Sequence, residues 1–407
     1  RIGRDARLMI ATQAIMGFGY VGLYAVLFNL YLLRLDYNPA YIGQVNAIGR
    51  LGFALVGVPA GLLGVRFGPR PLLIAGEWII VIGLVGAPLG EFLPHAIQGP
   101  WISLFYFLGF AGASLFFVNA TPFLMAVSGK QERSHVFAVL ATVMPLAAFA
   151  GSLCGGLLPG LTGYLLGVTD ADPAAYRYPL MFAGTLFLLT VPLVLATHHG
   201  TTHKRDGEDT VNPLQGMRDA PLGTITSVAA VMFLASIGMG ITMSFFNVYL
   251  DDGLDVATAL IGTVTATTQL VSAFAAVLMP VVIARFGHVG GFQLGRLVMA
   301  AGMVPMALVP SLHVAALAML LITAASSISQ QIFTIYSQSA ISTRWRTLMS
   351  GVVNTTMGCG WAITAWGGGL IIEHFGYNKV FLTGAATTVI SVAVFALVAR
   401  RAPEPTR

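Results

Sequence analysis

Three ionisable side chains, Arg50, Glu77 and Arg296, stand inside long apolar stretches of this 407-residue chain. Keeping one in hydrocarbon costs roughly 2.5–3.5 kcal/mol on insertion scales, so each is expected to serve a pathway or meet a partner. Glu77 is the only acidic residue within those stretches, which makes it the default group for taking up and releasing a proton. The competing expectation for Glu77 is a shallow salt bridge near an interface. Arg50 is flanked by Gly49 and Gly52, whose missing side chains would let a guanidinium reach across a close helix contact. Its planar fork suits a carboxylate or phosphate of a bound solute, with a structural arginine bonded to carbonyls as the alternative. Other chemistries lack their residues. There is no Walker loop to hold a nucleotide, so an ion gradient is the expected energy source, and no Ser/His/Asp or metal-hydrolase constellation is present. His198, His199 and His203 share one polar stretch that preorganises nothing. Neither an enzyme, nor a cofactor, nor a metal site is expected.

The elements that must position these charges follow from composition. Hydrophobic residues make up 56% of the chain and charged ones 9%, against about 45–50% and 25% in soluble domains. The chain is therefore expected to be an all-helical integral membrane protein. Stretches long enough to cross roughly 30 Å of hydrocarbon lie at 8–33, 41–63, 71–90, 100–127, 134–159 and 178–197. Six more lie at 222–250, 257–284, 290–311, 314–341, 347–372 and 377–399. Helices satisfy their own backbone polar groups in lipid, and these runs lack the alternation of barrel strands. In a twelve-helix arrangement Arg4, Arg66, Arg70, Lys130, Arg285 and Arg344 fall on the side of the chain ends, while only Arg34, Arg177 and Lys379 fall opposite. That asymmetry predicts a multi-pass protein of the inner (plasma) membrane with both termini cytoplasmic.

The chain also repeats itself. Ile42-Gly43 and Arg66-Phe67-Gly68 return as Ile261-Gly262 and Arg285-Phe286-Gly287, at a constant offset of 219 residues. Asn29, Tyr31 and Leu32 end the first stretch as Asn247, Tyr249 and Leu250 end the seventh, and Gly155-Gly156-Leu157 matches Gly368-Gly369-Leu370. A polar, linker-like segment from His198 separates the copies. The expected organisation is a six-helix bundle at 1–197, a cytoplasmic linker at 198–219 and a second bundle at 220–407, related as parallel repeats about an axis along the membrane normal.

With these repeats the chain resembles the major facilitator superfamily over essentially its whole length. Gly61-Leu-Leu-Gly64-Val65-Arg66-Phe67-Gly68-Pro69-Arg70 is similar to that family's loop signature between helices 2 and 3. Val65 stands where the family has Asp, and Pro69 where it has Arg, so a gate built on that Asp does not carry over. Arg66 and Arg70 are left to bind helix carboxyl ends or phosphates near the interface, or simply to anchor the cytoplasmic side.

The resemblance implies a central cavity lined chiefly by helices 1, 4, 7 and 10, with 2, 5, 8 and 11 contributing. Mapped by helix, it offers Tyr24, Asn29, Asn119, Asn247, Gln330, Gln331 and Tyr336, joined by Gln269, Asn354 and Trp361 and by Arg50. Such amides serve equally as interhelical bonds or as cavity walls. Glu77, Arg296, Arg66 and Arg70 are the candidates for proton coupling or gating. The expected activity is proton-coupled efflux of a small organic or amphipathic molecule by alternating access. Alternatives are uptake of an organic anion through Arg50, flipping of lipid or lysolipid, and a membrane sensor that transports nothing. The expected partners are the solute, the bilayer and protons, and the expected state is a monomer.

Overall fold

The computed structural model describes residues 2–128, 133–197, 221–342 and 345–399, and among them the chain is helical throughout, with no strand. Six helices come first: α1 Arg4–Arg34, α2 Pro39–Phe67, α3 Pro69–Phe92, α4 His95–Val127, α5 Arg133–Leu166 and α6 Pro173–Leu195. The expected linker 198–219 lies outside the described residues. The second set opens with α7 Leu222–Gly253. Helix α8 runs over Thr258–Val277, bends at Leu278 before Pro280, and continues into Met279–Leu308 as far as Gly287. There the chain reverses and α9 begins. Helix α10 is Leu312–Ser339, and the run Arg346–Ala399 is broken at Gly376 into α11 and α12. Among the described residues this makes twelve helices in two sets of six.

Local chemistry sets the turns. Gly68 (φ 84°) and Gly287 (φ 69°) reverse the chain in the left-handed region at repeat-equivalent positions, and Gly376 (φ 79°) does so between α11 and α12. A side chain at φ near +70° would be strained, so glycine is required there. Asn38 starts α2 by accepting from the Tyr41 amide at 2.9 Å, and Asp172 starts α6 by accepting from the Ala174 amide at 2.8 Å. In both cases a proline follows at the first helical position, where a missing N–H costs nothing.

Within each half, small residues let helices close on one another. A Cβ on Gly83 of α3 would lie 2.2 Å from the Gly109 amide of α4. In the second half Phe292, Phe333, Tyr336 and Phe395 pack as one buried aromatic group. Exposed apolar side chains such as Leu62, Tyr164, Leu165 and Phe274 cover the outside, as a protein solvated by acyl chains requires. Alternation of twelve helices puts Gly68 and Gly287 on the face of the chain ends, the terminal face. The turns after α1 and α7 lie on the opposite, far face.

Candidate functional site

A cavity of about 640 Å³ lies between the halves, in the layer nearer the terminal face. Helix α5 contributes Thr142 and Pro145, the proline whose freed carbonyl permits a bend, and α7 contributes Met232, Ser236 and Met239. From α8 comes Ser272, from α10 Ser327, Gln330 and Gln331, and from α11 Met357 and Trp361. Arg296 of α9 closes one end. The hydroxyls of Ser272 and Ser327 touch across the α8/α10 seam. The Trp361 indole N–H is buried with no hydrogen-bond partner. Flexible thioethers beside a few amides and hydroxyls make a wall that adapts to apolar shapes while orienting them by a small number of polar contacts.

The far face is closed by bonds between the halves. Arg34 at the end of α1 grips Asp251 near the end of α7 with both guanidinium nitrogens, at 2.6 and 2.7 Å. Asn38 donates to Glu373 of α11 at 2.7 Å, and the Tyr176 and Thr258 hydroxyls meet at 2.7 Å between α6 and α8. One layer deeper, Asn29 donates to the Ser244 carbonyl at 2.9 Å and Asn247 to the Ala25 carbonyl at 3.5 Å. Glycines let the backbones meet there: a Cβ on Gly43 of α2 would lie 2.3 Å from the Ala365 carbonyl of α11, and one on Gly262 of α8 would lie 2.4 Å from the Gly156 Cα of α5. Tyr37, in the turn before α2, stacks on Tyr41 at 4.1 Å, and burial pushes its hydroxyl up to about 12, so it stays a donor to Gln98.

The residues singled out in the sequence are distributed over three places. Gln330, Gln331, Trp361 and Arg296 line the cavity. Gln269 lies one turn from Ser272 on α8, and exposed Asn354 one turn before Met357 on α11, so both continue lined faces. Arg50 does not line the cavity. Its guanidinium lies 4.5 Å from the Trp361 ring of the second half and 5.4 Å from the Phe110 ring of the first, with no hydrogen bond or ion pair among the described residues.

Asn29 and Asn247 belong to the far-face seal. Asn119 is an interhelical bond: it donates to the Ala60 carbonyl at 3.3 Å and the Leu115 carbonyl at 2.9 Å, and its Oδ1 fills the space left by Gly64. Tyr24 gives its hydroxyl to the Leu84 carbonyl at 3.3 Å, and Tyr336 is packed in the second-half aromatic group away from the cavity.

Glu77 and Arg296 stand nine residues past their equivalent turn glycines, at about 13 Å depth by helical rise. Each is fully buried in its own half, and they do not pair. Neither Glu77 oxygen has a hydrogen-bond partner; Thr190, whose hydroxyl donates to Phe187, is the polar group facing it from α6. Arg70 caps the end of α6 through the Leu195 carbonyl at 2.6 Å, the helix-end role open to it, while Arg66 lies exposed with its guanidinium 5.2 Å from the Phe67 ring. Sequence reasoning missed the Arg34–Asp251 pair and the glycine crossings. The 219-residue offset relating Gly43 to Gly262 was the available signal.

Two six-helix halves with a cavity between them have the architecture of a carrier-type membrane protein. The family model of the Major Facilitator Superfamily matches residues 9–365 and 228–407, and the chain belongs to that family. Solved structures share the fold. A bacterial homologue of the human lysosomal transporter Spinster, inward-facing and occupied, superposes with TM-score 0.77 at 16% identity over 98% of each chain. A D-xylose–proton symporter gives 0.76 at 17% identity over 98% of each chain. The nucleoside transporter NupG gives 0.71 at 13% identity over 97% of this chain and 98% of that one. A comparison with curated proteins finds no match.

Proposed function

We propose that the chain is a secondary carrier moving a small amphipathic organic molecule by alternating access, residues 1–197 rocking against 220–407 around the cavity. The observation that carries this reading is a cavity between the halves set below a seal made of bonds from one half to the other. Bonds of that kind can break and re-form as the halves tilt. The methionine-rich wall with its few amides supports a solute that is largely apolar. The excess of Lys and Arg toward the chain ends supports a cytoplasmic terminal face. With the far face sealed, the conformation is then the one turned toward the cytoplasm. Buried, unpartnered Glu77 supports proton coupling. The test is reconstitution into liposomes with an imposed pH gradient, following amphipathic solutes across the membrane. Uphill movement that collapses with the gradient is expected, and net transport indifferent to the gradient overturns the coupling.

A further inference from the structure

We propose that the cavity holds a subsite for an acidic group at Arg296, so that the solute is an amphipathic organic monoanion with a carboxylate head. This rests on the reading of the cavity as the transport site. Arg296 lines that cavity, is 1% exposed, and has no carboxylate against it. One guanidinium nitrogen, Nη1, donates to the Ala235 carbonyl at 2.9 Å, and the face of the group lies 5.1 Å from the Phe292 ring. Nε has no hydrogen-bond partner. The Nε/Nη2 edge, the pair of parallel donors that matches a planar carboxylate, is therefore left unused by the protein.

A buried cation held by one neutral carbonyl, the Met299 sulfur at 3.8 Å and a ring is under-compensated, and a solute anion supplies what is missing. Purely structural roles would be met by a smaller or neutral side chain, without the cost of desolvating a charge. The rest of the wall points the same way. Among the described residues no Asp or Glu lines the cavity, and Arg296 is the one charged group on its wall. Arg50, 4.5 Å from the ring of the wall residue Trp361, is a second cation that adds to the field without lining the space. The Trp361 indole N–H is one more buried donor of the wall without a hydrogen-bond partner. Met232, Met239 and Met357 are left for the apolar tail.

The test uses purified full-length protein in nanodiscs and a matched ten-carbon series, decanoate, decanol and decylammonium, read by thermal shift and by titration of tryptophan fluorescence. Decanoate is expected to stabilise the wild type, with decanol and decylammonium much weaker. In Arg296→Gln the decanoate affinity should fall by on the order of 30-fold or more, to the level of decanol. Arg296→Lys guards against a misfolded variant. It keeps the charge and should retain a weakened preference for the anion, because the fork is lost and the cation is not. Equal affinity for decanoate in wild type and Arg296→Gln overturns the proposal, as does decanol or decylammonium binding as well as decanoate to the wild type. If liposome assays find a transported solute that is neutral or cationic, the acidic subsite falls while the carrier stands. If decanoate binds through Arg296 and nothing is transported, the carrier reading fails instead.

Discussion

Asn29 of α1 and Asn247 of α7 each donate to the other helix's backbone, forming a reciprocal clasp across the two halves. Each amide oxygen is taken by a residue of the following helix, Asn46 for Asn29 at 2.9 Å and Thr265 for Asn247 at 3.1 Å. Asn46 and Thr265 are themselves related by the 219-residue offset. Duplication has thus placed the same donor in both halves, aimed at the mate. Such interhelical bonds average about 0.6 kcal/mol in membrane proteins. Two of them bias the far face toward closure without locking it, which suits a protein that must cycle between states.

Replacing both asparagines, Asn29→Leu with Asn247→Leu, should therefore release the far face. Losing about 1 kcal/mol multiplies the open fraction roughly fivefold. Spin labels at His95 and Ala257, exposed on the far-face ends of α4 and α8, would report it as growth of a longer distance. An unchanged distribution would show that the clasp bears no load.

The glycine crossings give a sharper, steric version. Gly43→Ala or Gly262→Ala puts a methyl 2.3–2.4 Å from the facing backbone, at Ala365 or Gly156. Backbone cannot yield like a flexible side chain, so the halves must separate at the far face at a cost of about 1–3 kcal/mol. Gly160→Ala, with nothing within 4 Å, is the control. Thermal melting and the same spin-label distances should change for the first two variants and not for the third.

How far the sequence reaches is clear from these residues. The twelve crossings, the two halves and the isolated charges Arg50, Glu77 and Arg296 are legible because lipid enforces apolar composition and makes each exception conspicuous. The roles of Asn29, Asn119 and Tyr336 are not. Assigning a residue to a cavity-lining helix gives neither its depth nor its facing, and an amide on such a helix can turn to a neighbour's carbonyl instead, as Asn119 turns to Ala60. Arg50 is conspicuous as a charge, but the contacts of its guanidinium with the Trp361 and Phe110 rings depend on side-chain direction, which sequence spacing does not give. Arg34 and Asp251 pair at long range, and only the folded chain brings the turns after α1 and α7 together.

That pair gives a third prediction. Arg34 and Asp251 are partly buried, with side chains 20% and 10% exposed, and are joined bidentately. Arg34→Gln and Asp251→Asn should each destabilise the closed far face by about 1 kcal/mol. The exchanged pair Arg34→Asp with Asp251→Arg should recover part of the loss if the attraction matters. Thermal stability of the wild type, Arg34→Asp, Asp251→Arg and the exchanged pair forms a double-mutant cycle, and strict additivity would mean that the two groups act independently.

Glu77 supplies the last prediction. Its side chain is fully buried, both oxygens lack hydrogen-bond partners, and no cation lies against it. The repeat-equivalent Arg296 lines the cavity between the halves and forms no ion pair with Glu77. Beyond the Thr190 hydroxyl the surroundings offer little to offset a negative charge, whereas the neutral shape of a glutamine fits the same space. Glu77→Gln should keep its melting temperature to within the equivalent of about 1 kcal/mol, the cost of the extra buried amide donors. Glu77→Lys, which forces a charge into that site, should fail to give folded protein. If Glu77 carries the coupled proton, the Gln variant will still bind and exchange solute while losing uphill transport driven by a pH gradient. Wild-type gradient dependence in Glu77→Gln would move the proton to another group.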